Sequence, residues 1–197
     1  MSLLGYSIDT LRLTLFLGLI LHKLLWEVLK IRDGRSRPSQ KLIKSAGTWP
    51  VKIVKSVILV FLMFQTLFLD IFPISEHPGH LRLIGTALYF VGLATAVTGR
   101  LQLGKNWADL EDYQVLPEQS LVTTGIYGYI RHPIYAGDIL LLAGVELALN
   151  SWLVLAVSIP LAVAIKQALK EEALLSRVFP DYHWYCTRTK RFIPFIF

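Results

Sequence analysis

The chain has 197 residues, of which 54% are hydrophobic and 17% charged, and its mean hydropathy is +0.52. Soluble domains carry about 25% charged residues, so this composition excludes a disordered chain, a collagen-like chain and an ordinary soluble enzyme. The net charge of +6 does not indicate nucleic acid binding, because eight cations fall within residues 30–55, between two apolar segments. The sequence predicts an all-α integral membrane protein whose surroundings are a lipid bilayer.

Five apolar segments are long enough to cross a bilayer, which takes about 17 to 25 residues. They lie at about 11–29, 53–72, 83–101, 133–149 and 152–169. In the first, Lys23 and Glu27 are one helical turn apart and are expected to pair. The third contains the small residues Gly85, Gly92 and Gly99, which predict a central, closely packed helix. Since only two residues separate the last two segments, we expect them to form a tight helical hairpin.

The distribution of basic residues predicts the orientation of the chain. If the basic stretch 30–55 is cytoplasmic, the N-terminus lies outside and five spans place the C-terminus in the cytoplasm. The connection at 73–81 contains no Lys or Arg and fits the outer side. The polar regions 105–131 and 170–197 then meet on the cytoplasmic side, where we expect the functional site. A single cysteine, Cys186, excludes an internal disulfide and a cysteine-rich zinc site, and no metal is predicted.

Two clusters could carry chemistry. Residues 123–137 include Arg131, His132 and Pro133, and the proline suits the first turn of a helix. The positive end of that helix, beside Arg131, could bind a carboxylate or a phosphate. The second cluster is Glu171-Glu172, shortly after the fifth segment. Without further information, the first cluster can equally be an interfacial helix start and the second a solvated helix face.

Taken together, these clusters resemble the isoprenylcysteine carboxyl methyltransferase family, which is related to the phospholipid methyltransferases. The resemblance rests on Arg-His-Pro-x-Tyr-x-Gly at 131–137, the Glu-Glu helix about 35 residues later, paired tyrosines, and Arg191 to Pro194. It covers about residues 83–197, the expected cofactor-binding catalytic core of a single membrane-embedded domain spanning 1–197. At this length the chain looks like a minimal prokaryotic or archaeal member.

The resemblance implies S-adenosylmethionine as the methyl donor and S-adenosylhomocysteine as the product. It places a cytoplasmic cofactor pocket between the loop before the fourth helix and the C-terminal helix. Glu171 would pair with the ammonium group of the cofactor, His132 with its carboxylate, and tyrosine rings with its sulfonium. Which of Glu171 and Glu172 makes the ammonium contact stays open. The residues implied for the pocket are Gln119, Ser120, Leu121, Val122, Tyr127, His132, Pro133, Tyr135 and Glu171.

The acceptor implied by the family is the carboxylate of a lipidated, isoprenylcysteine-like substrate, which makes the protein a protein-S-isoprenylcysteine O-methyltransferase-like enzyme. A carboxylate is ionised at pH 7, so no general base is expected. Some family members carry an Arg four residues before the first glutamate, and this chain has Gln167 there. Gln167 is therefore a candidate substrate contact, and Lys166 and Lys170 are the nearby cations.

Three alternatives remain at this stage. A phospholipid or amine N-methyltransferase would need a proton acceptor, for which Glu172 and His132 are candidates. An NADPH-dependent sterol-type reductase shares a related Arg-His-Pro element but needs an additional arginine cluster. A scaffold without catalytic activity would require both motifs to match by accident. The sequence does not determine the physiological acceptor, the oligomeric state, the route of lipid entry, or the roles of Glu146 and Asp138.

Overall fold

The computed structural model describes residues 7–35, 49–107 and 120–194. Within them, six α-helices follow one another. They are α1 (Ile8–Arg35), α2 (Trp49–Phe68), α3 (Gly79–Leu103), α4 (Pro133–Ala148), α5 (Ser158–Val178) and α6 (Tyr182–Arg188). Short 3₁₀ turns occupy Gly104–Asn106, Gly125–Gly128 and Trp152–Val157. The expectation of an all-α chain is confirmed for these residues, in which the only β pairing is two isolated bridges.

The helix bounds follow from local signals. Ser7 begins α1, where its hydroxyl accepts the Thr10 backbone N–H at 3.2 Å. Pro133 opens α4, as its position predicted. Gly104, with φ of 52°, ends α3 in a conformation that favours glycine. The structure differs from the sequence prediction in α2, which begins earlier and ends at Phe68, and in the fifth segment, which starts with a 3₁₀ turn. The pair between Lys23 and Glu27 is present at 2.5 Å.

Glycines allow α3 and α4 to pack backbone against backbone. A Cβ on Gly92 would lie 2.4 Å from the Leu141 backbone nitrogen, and one on Gly137 would lie 2.4 Å from that of Ala96. Gly144 approaches Tyr89 in the same way. Such close approach is how helices associate in membranes, where lipid weakens the hydrophobic driving force. The prediction that the third segment is a central, closely packed helix is confirmed.

The hydrophobic core lies among α1 to α4. Its buried members are Leu15, Leu19, Leu62, Tyr89, Leu141, Val145, Ala148 and Leu149. Tyr89 also donates a hydrogen bond to the Leu15 carbonyl at 2.7 Å. This contact ties α3 to α1 through a polar group that would otherwise be buried without a partner.

Helix α5 stands apart from this core. Its link to α4 is as short as predicted: Asn150 adopts a φ of 60° and Ser151 accepts the Leu153 N–H at 3.1 Å. No residue from 158 to 166 is buried, however, and α5 contacts α4 only sparsely. The hairpin is tight at its connection but not packed along its length. At the other end of the hairpin, Tyr135 of α4 bonds to Glu171 of α5.

Apolar residues cover much of the outer surface. On α1, Leu13, Leu17, Leu21 and Leu24 are each more than half exposed and follow a helical spacing. Contiguous apolar surface of this kind is rare on soluble monomers and indicates a lipid-facing side. Among the described residues, two segments are long and apolar enough to cross a membrane, Gly79–Asn106 and Trp152–Val178. Residues 36–48, which make up half of the basic stretch 30–55, lie outside the described residues.

Candidate functional site

The segment before α4 is fixed to the end of α3. Gln102 accepts the Ile126 backbone N–H through its Oε1 at 2.8 Å. Tyr127 is buried, and its hydroxyl donates to the Gly99 carbonyl at 3.3 Å. Burial raises the pKa of Tyr127 well above its ordinary value, so this hydroxyl stays protonated. The 3₁₀ turn at Gly125–Gly128 thus leads directly to the start of α4.

The C-terminal segment after α6 pairs with this same stretch of chain. The backbone N–H of Arg131 donates to the Lys190 carbonyl at 2.8 Å, and that of His132 donates to the Arg191 carbonyl at 3.0 Å. The bridge between Ile130 and Lys190 is parallel. The C-terminal tail, residues 189–194, therefore packs against the start of α4.

Glu172 is the centre of a charged cluster that fastens the tail to α5. Its carboxylate accepts from Arg131 Nε at 2.9 Å and from Arg191 Nη2 at 2.9 Å. His132 Nε2 lies 3.2 Å from the same carboxylate. The Glu172 side chain is 11% exposed, and two guanidinium groups face its single charge. The Glu172 carboxylate raises the pKa of Arg191, so the cluster stays charged.

Arg131 does more than balance Glu172. Its Nη1 donates to the Thr189 carbonyl at 2.5 Å and to the Cys186 carbonyl at 3.3 Å. Through these bonds the Arg131 guanidinium is bound to the C-terminal segment. The expectation that Arg131 flanks an open anion site at the start of α4 therefore differs from the observed arrangement, because tertiary contacts have already used its donors.

Glu171 has a different environment from that of Glu172. The Tyr135 hydroxyl donates a short hydrogen bond to Glu171 Oε1, and Gln167 provides a further hydrogen bond. His132 Nδ1 lies 3.6 Å from Glu171 Oε2. The Glu171 side chain is 34% exposed, whereas that of His132 is 6% exposed. Of the two glutamates, Glu171 is the one that a bound molecule can reach.

Aromatic rings flank this accessible carboxylate. His132 and Tyr135 stack with centroids 5.5 Å apart and planes inclined by 17°. Phe192 of the tail approaches His132 from another direction, with centroids 5.7 Å apart. A carboxylate beside the faces of aromatic rings is suited to a compact organic cation, because both interactions favour positive charge.

The structure brings the predicted pocket residues His132, Tyr135 and Glu171 together, and Gln167, the candidate substrate contact, bonds to Glu171. Pro133 is buried against Gly99, which makes it part of the helix packing. Ser120 is exposed, and its backbone N–H donates to Asn106 Oδ1 at 2.8 Å. Leu121 and Val122 are partly exposed. Gln119 lies outside the described residues.

The role of Arg191 was not predicted from the sequence, although this residue begins the motif at 191–194. Charge balance could have indicated this role. Two adjacent glutamates next to the buried start of α4 need cations as counter-charges, and Arg131 and Arg191 lie in the polar regions that the sequence predicts to meet there.

A second feature that the sequence did not predict is the buried pair between Arg100 Nη2 and Asp33 Oδ2, at 2.7 Å, which joins α3 to α1. Arg100 also lies 4.3 Å from the ring centroid of Trp107, at the start of the connecting loop.

Within the described parts of the chain, no group of three or more His, Cys, Asp or Glu residues is arranged to hold a metal ion. Cys186 lies next to the cluster, and burial raises the pKa of its thiol.

Comparison with known proteins identifies the family. The family model for phospholipid methyltransferases matches residues 81–182, which include both the Arg-His-Pro segment and the Glu-Glu helix. The chain belongs to the phospholipid methyltransferase family. The resemblance drawn from the motifs is thereby confirmed at the level of the family.

The solved structure of the eukaryotic intramembrane Ras methyltransferase ICMT (isoprenylcysteine carboxyl methyltransferase) shares the fold, with a TM-score of 0.59 and 22% identity. The match covers 94% of this chain and 68% of that one.

Two curated proteins are similar in sequence. The nickel-cobalt-cadmium resistance protein NccN of Alcaligenes xylosoxydans xylosoxydans is 34% identical over 107 residues, which is 53% of this chain and 47% of NccN. The cobalt-zinc-cadmium resistance protein CzcN of Cupriavidus metallidurans is 29% identical over 160 residues, which is 75% of this chain and 62% of CzcN. The chain thus spans about half to three fifths of the length of these relatives.

Proposed function

We propose that the protein is a membrane methyltransferase that uses S-adenosylmethionine to methylate the polar end of a lipophilic acceptor. The observation that carries this proposal is the accessible Glu171 carboxylate beside the stacked rings of His132 and Tyr135. When bound, S-adenosylmethionine supplies a methyl group that is electrophilic because it is attached to a sulfonium. Its ammonium and sulfonium charges match the acidic and aromatic character of this cluster.

The chain's own residues would bind and orient the cofactor. Glu171 would accept hydrogen bonds from the ammonium group of the cofactor. Its carboxylate is held in a fixed position because the Tyr135 hydroxyl already donates to it. The faces of Tyr135 and His132 can contact the sulfonium, a cation–π interaction of roughly 0.5 to 2 kcal/mol. Glu172 has a supporting role, because Arg131 and Arg191 already occupy its oxygens.

The first candidate acceptor is the carboxylate of an isoprenylcysteine-like lipid. An ionised carboxylate attacks the methyl group without losing a proton, so the protein needs to orient the reactants and not to provide a base. Orientation can contribute about 7 to 11 kcal/mol to lowering the barrier. The exposed Lys166 and Lys170, in the middle of α5, are the cations closest in sequence to Glu171 and would attract such an acceptor. In the proposed topology the site faces the cytoplasm and the N-terminus lies outside.

The second candidate acceptor is the amine of a phospholipid, and the charge of the site favours it. Both arginines of the cluster are bound to Glu172. These guanidinium groups are thus not available to bind an acceptor carboxylate, whereas an amine acceptor does not need them. The match to the phospholipid methyltransferase family model supports the same candidate.

The proposal is tested by transfer of radiolabelled methyl from S-adenosylmethionine, using purified protein offered a farnesylcysteine analogue and phosphatidylethanolamine in parallel. His132→Ala should abolish transfer, whereas His183→Ala, which changes an exposed histidine on α6, should not. A base-labile methyl ester establishes carboxyl methylation, and label on the phospholipid establishes amine methylation. Absence of transfer to both acceptors by protein that is folded would contradict the proposal.

A further inference from the structure

A histidine and an aspartate face each other between α1 and α4, within the apolar segments of both helices. His22 lies near the middle of α1, and Asp138 follows Pro133 by five residues, about 7 Å along the helix axis. Ionisable side chains at such depth are costly and mark functional positions in membrane proteins. Neither residue takes part in the cluster around Glu172.

The contact between these two residues is incomplete. His22 Nε2 and Asp138 Oδ1 approach to 3.2 Å, yet their geometry is not that of a hydrogen bond. Both atoms are shielded from solvent and have no other hydrogen-bond partner among the described residues. The His22 ring is held in place by Trp26, whose ring centroid lies 4.2 Å away. Shielded polar atoms without partners call for an explanation, and a bound group that hydrogen-bonds to both is one.

Two other polar pairs in the bundle are buried. Glu146 accepts from Gln65 Nε2 at 2.9 Å, and both residues are buried. Arg100 and Asp33 are likewise buried. Asp138, in contrast, is 39% exposed at its side chain. Of the carboxylates of Asp138, Glu146 and Asp33, that of Asp138 is therefore the one that a molecule arriving from the lipid can contact.

Asp138 also lies next to the candidate site. It follows Tyr135 by three residues, so the two side chains are neighbours on the surface of α4, about one helical turn apart. Tyr135 in turn bonds to Glu171. A group bound at Asp138 would be one turn deeper in the membrane than the proposed cofactor, on the side from which a lipid arrives.

We propose that Asp138 and His22 form a binding site for the protonated amine head group of a lipid, and that Asp138 accepts its proton. This inference rests on the proposed function. Transfer of one N–H proton to the carboxylate leaves a neutral amine whose lone pair forms the bond to the sulfonium methyl group, while the carbon–sulfur bond breaks. The products are a methylammonium, neutral S-adenosylhomocysteine and a proton on Asp138, which passes to water.

The test measures binding and methyl transfer separately, on the full chain purified in detergent. Binding uses tritiated hexadecylamine, with tritiated palmitate as a ligand of the same length and opposite charge. Asp138→Asn should weaken hexadecylamine binding at least tenfold and should not weaken palmitate binding. Asp138→Glu should recover most of the affinity. Glu146→Gln is the matched control, since it changes another carboxylate of α4 that is already hydrogen-bonded.

Methyl transfer then tests proton acceptance. Asp138→Asn should lower kcat with phosphatidylethanolamine by at least tenfold and leave the affinity for S-adenosylmethionine unchanged. Equal hexadecylamine affinity in wild type and Asp138→Asn, or an equal loss in Glu146→Gln, would overturn the inference while leaving the proposed function intact. Asp138-dependent amine binding without methyl transfer to any acceptor would instead overturn the proposed function.

Discussion

Arg131 and Glu172 are 41 residues apart in sequence, yet Arg131 Nε lies 2.9 Å from Glu172 Oε1. This one contact joins the start of α4 to the end of α5. With Arg191 on the other carboxylate oxygen, it also fastens the C-terminal segment to both helices. Because α5 is otherwise little buried, the position of Glu171 depends on this cluster.

Removing the charge of Glu172 should therefore destabilise the fold. Glu172→Gln leaves the 9% exposed side chain of Arg131 without its counter-charge, and breaking a buried ion pair in this way costs about 3 to 5 kcal/mol. The denaturation temperature in detergent measures the loss. Glu27→Gln is the control, because its exposed pair with Lys23 contributes only about 0.3 to 0.5 kcal/mol. Equal melting of the two variants would contradict the role assigned to the cluster.

Three buried tyrosines predict how stability depends on pH. Burial raises the pKa of Tyr127, Tyr182 and Tyr185 above the ordinary value. An unfolded chain loses these protons near pH 10, whereas the folded protein retains them. The folded state then holds more protons, so its stability is full below about pH 10 and declines as the pH rises further.

Tyr185→Phe isolates one of these groups. It removes a titrating hydroxyl and also the hydrogen bond to the Tyr127 carbonyl, at 2.7 Å. We expect a loss of about 1 kcal/mol at pH 8 and a shallower decline between pH 10 and 11. Denaturation at a series of pH values measures both effects. A decline as steep as that of the wild type would show that Tyr185 titrates normally.

The close approach of α3 and α4 makes a prediction about Gly137. In Gly137→Ala the new Cβ would lie 2.4 Å from the Ala96 backbone nitrogen, so the helices must move apart. Overpacking of this kind costs about 1 to 3 kcal/mol. Gly79→Ala is the matched control, as nothing lies within 4 Å of its new Cβ. The denaturation temperature should fall for the first variant only, and a similar response from both would disprove the packing argument.

The sequence predicted the helices and their packing better than it predicted the site. Helices α1 to α5 overlap the five segments that hydropathy predicted, because length and apolar content are local properties. The spacing of Gly85, Gly92 and Gly99 indicated the packed face of α3. The resemblance correctly brought His132 near the Glu-Glu pair. It could not separate Glu171 from Glu172, since their difference depends on which of them Arg131 and Arg191 reach in the folded chain.

Local sequence patterns also did not predict features that depend on tertiary contacts. Arg131 was expected beside an open anion site, but the carbonyls of Thr189 and Cys186 bind its guanidinium. The short link at 150–151 predicted a tight hairpin, and the link is tight, but it constrains only one end of the two helices. Along the rest of α5, residues 158–166 have apolar surface that favours lipid as much as protein.

Calorimetric titration of S-adenosylmethionine into wild type and Glu171→Gln tests the central claim most directly. A hydrogen bond between charged groups contributes about 1.5 to 3 kcal/mol, so the variant should bind at least about tenfold more weakly. Glu76→Gln, on the exposed connection before α3, should bind as the wild type does. Equal affinity in wild type and Glu171→Gln, or no binding by the wild type, would contradict the assignment of this carboxylate to the cofactor.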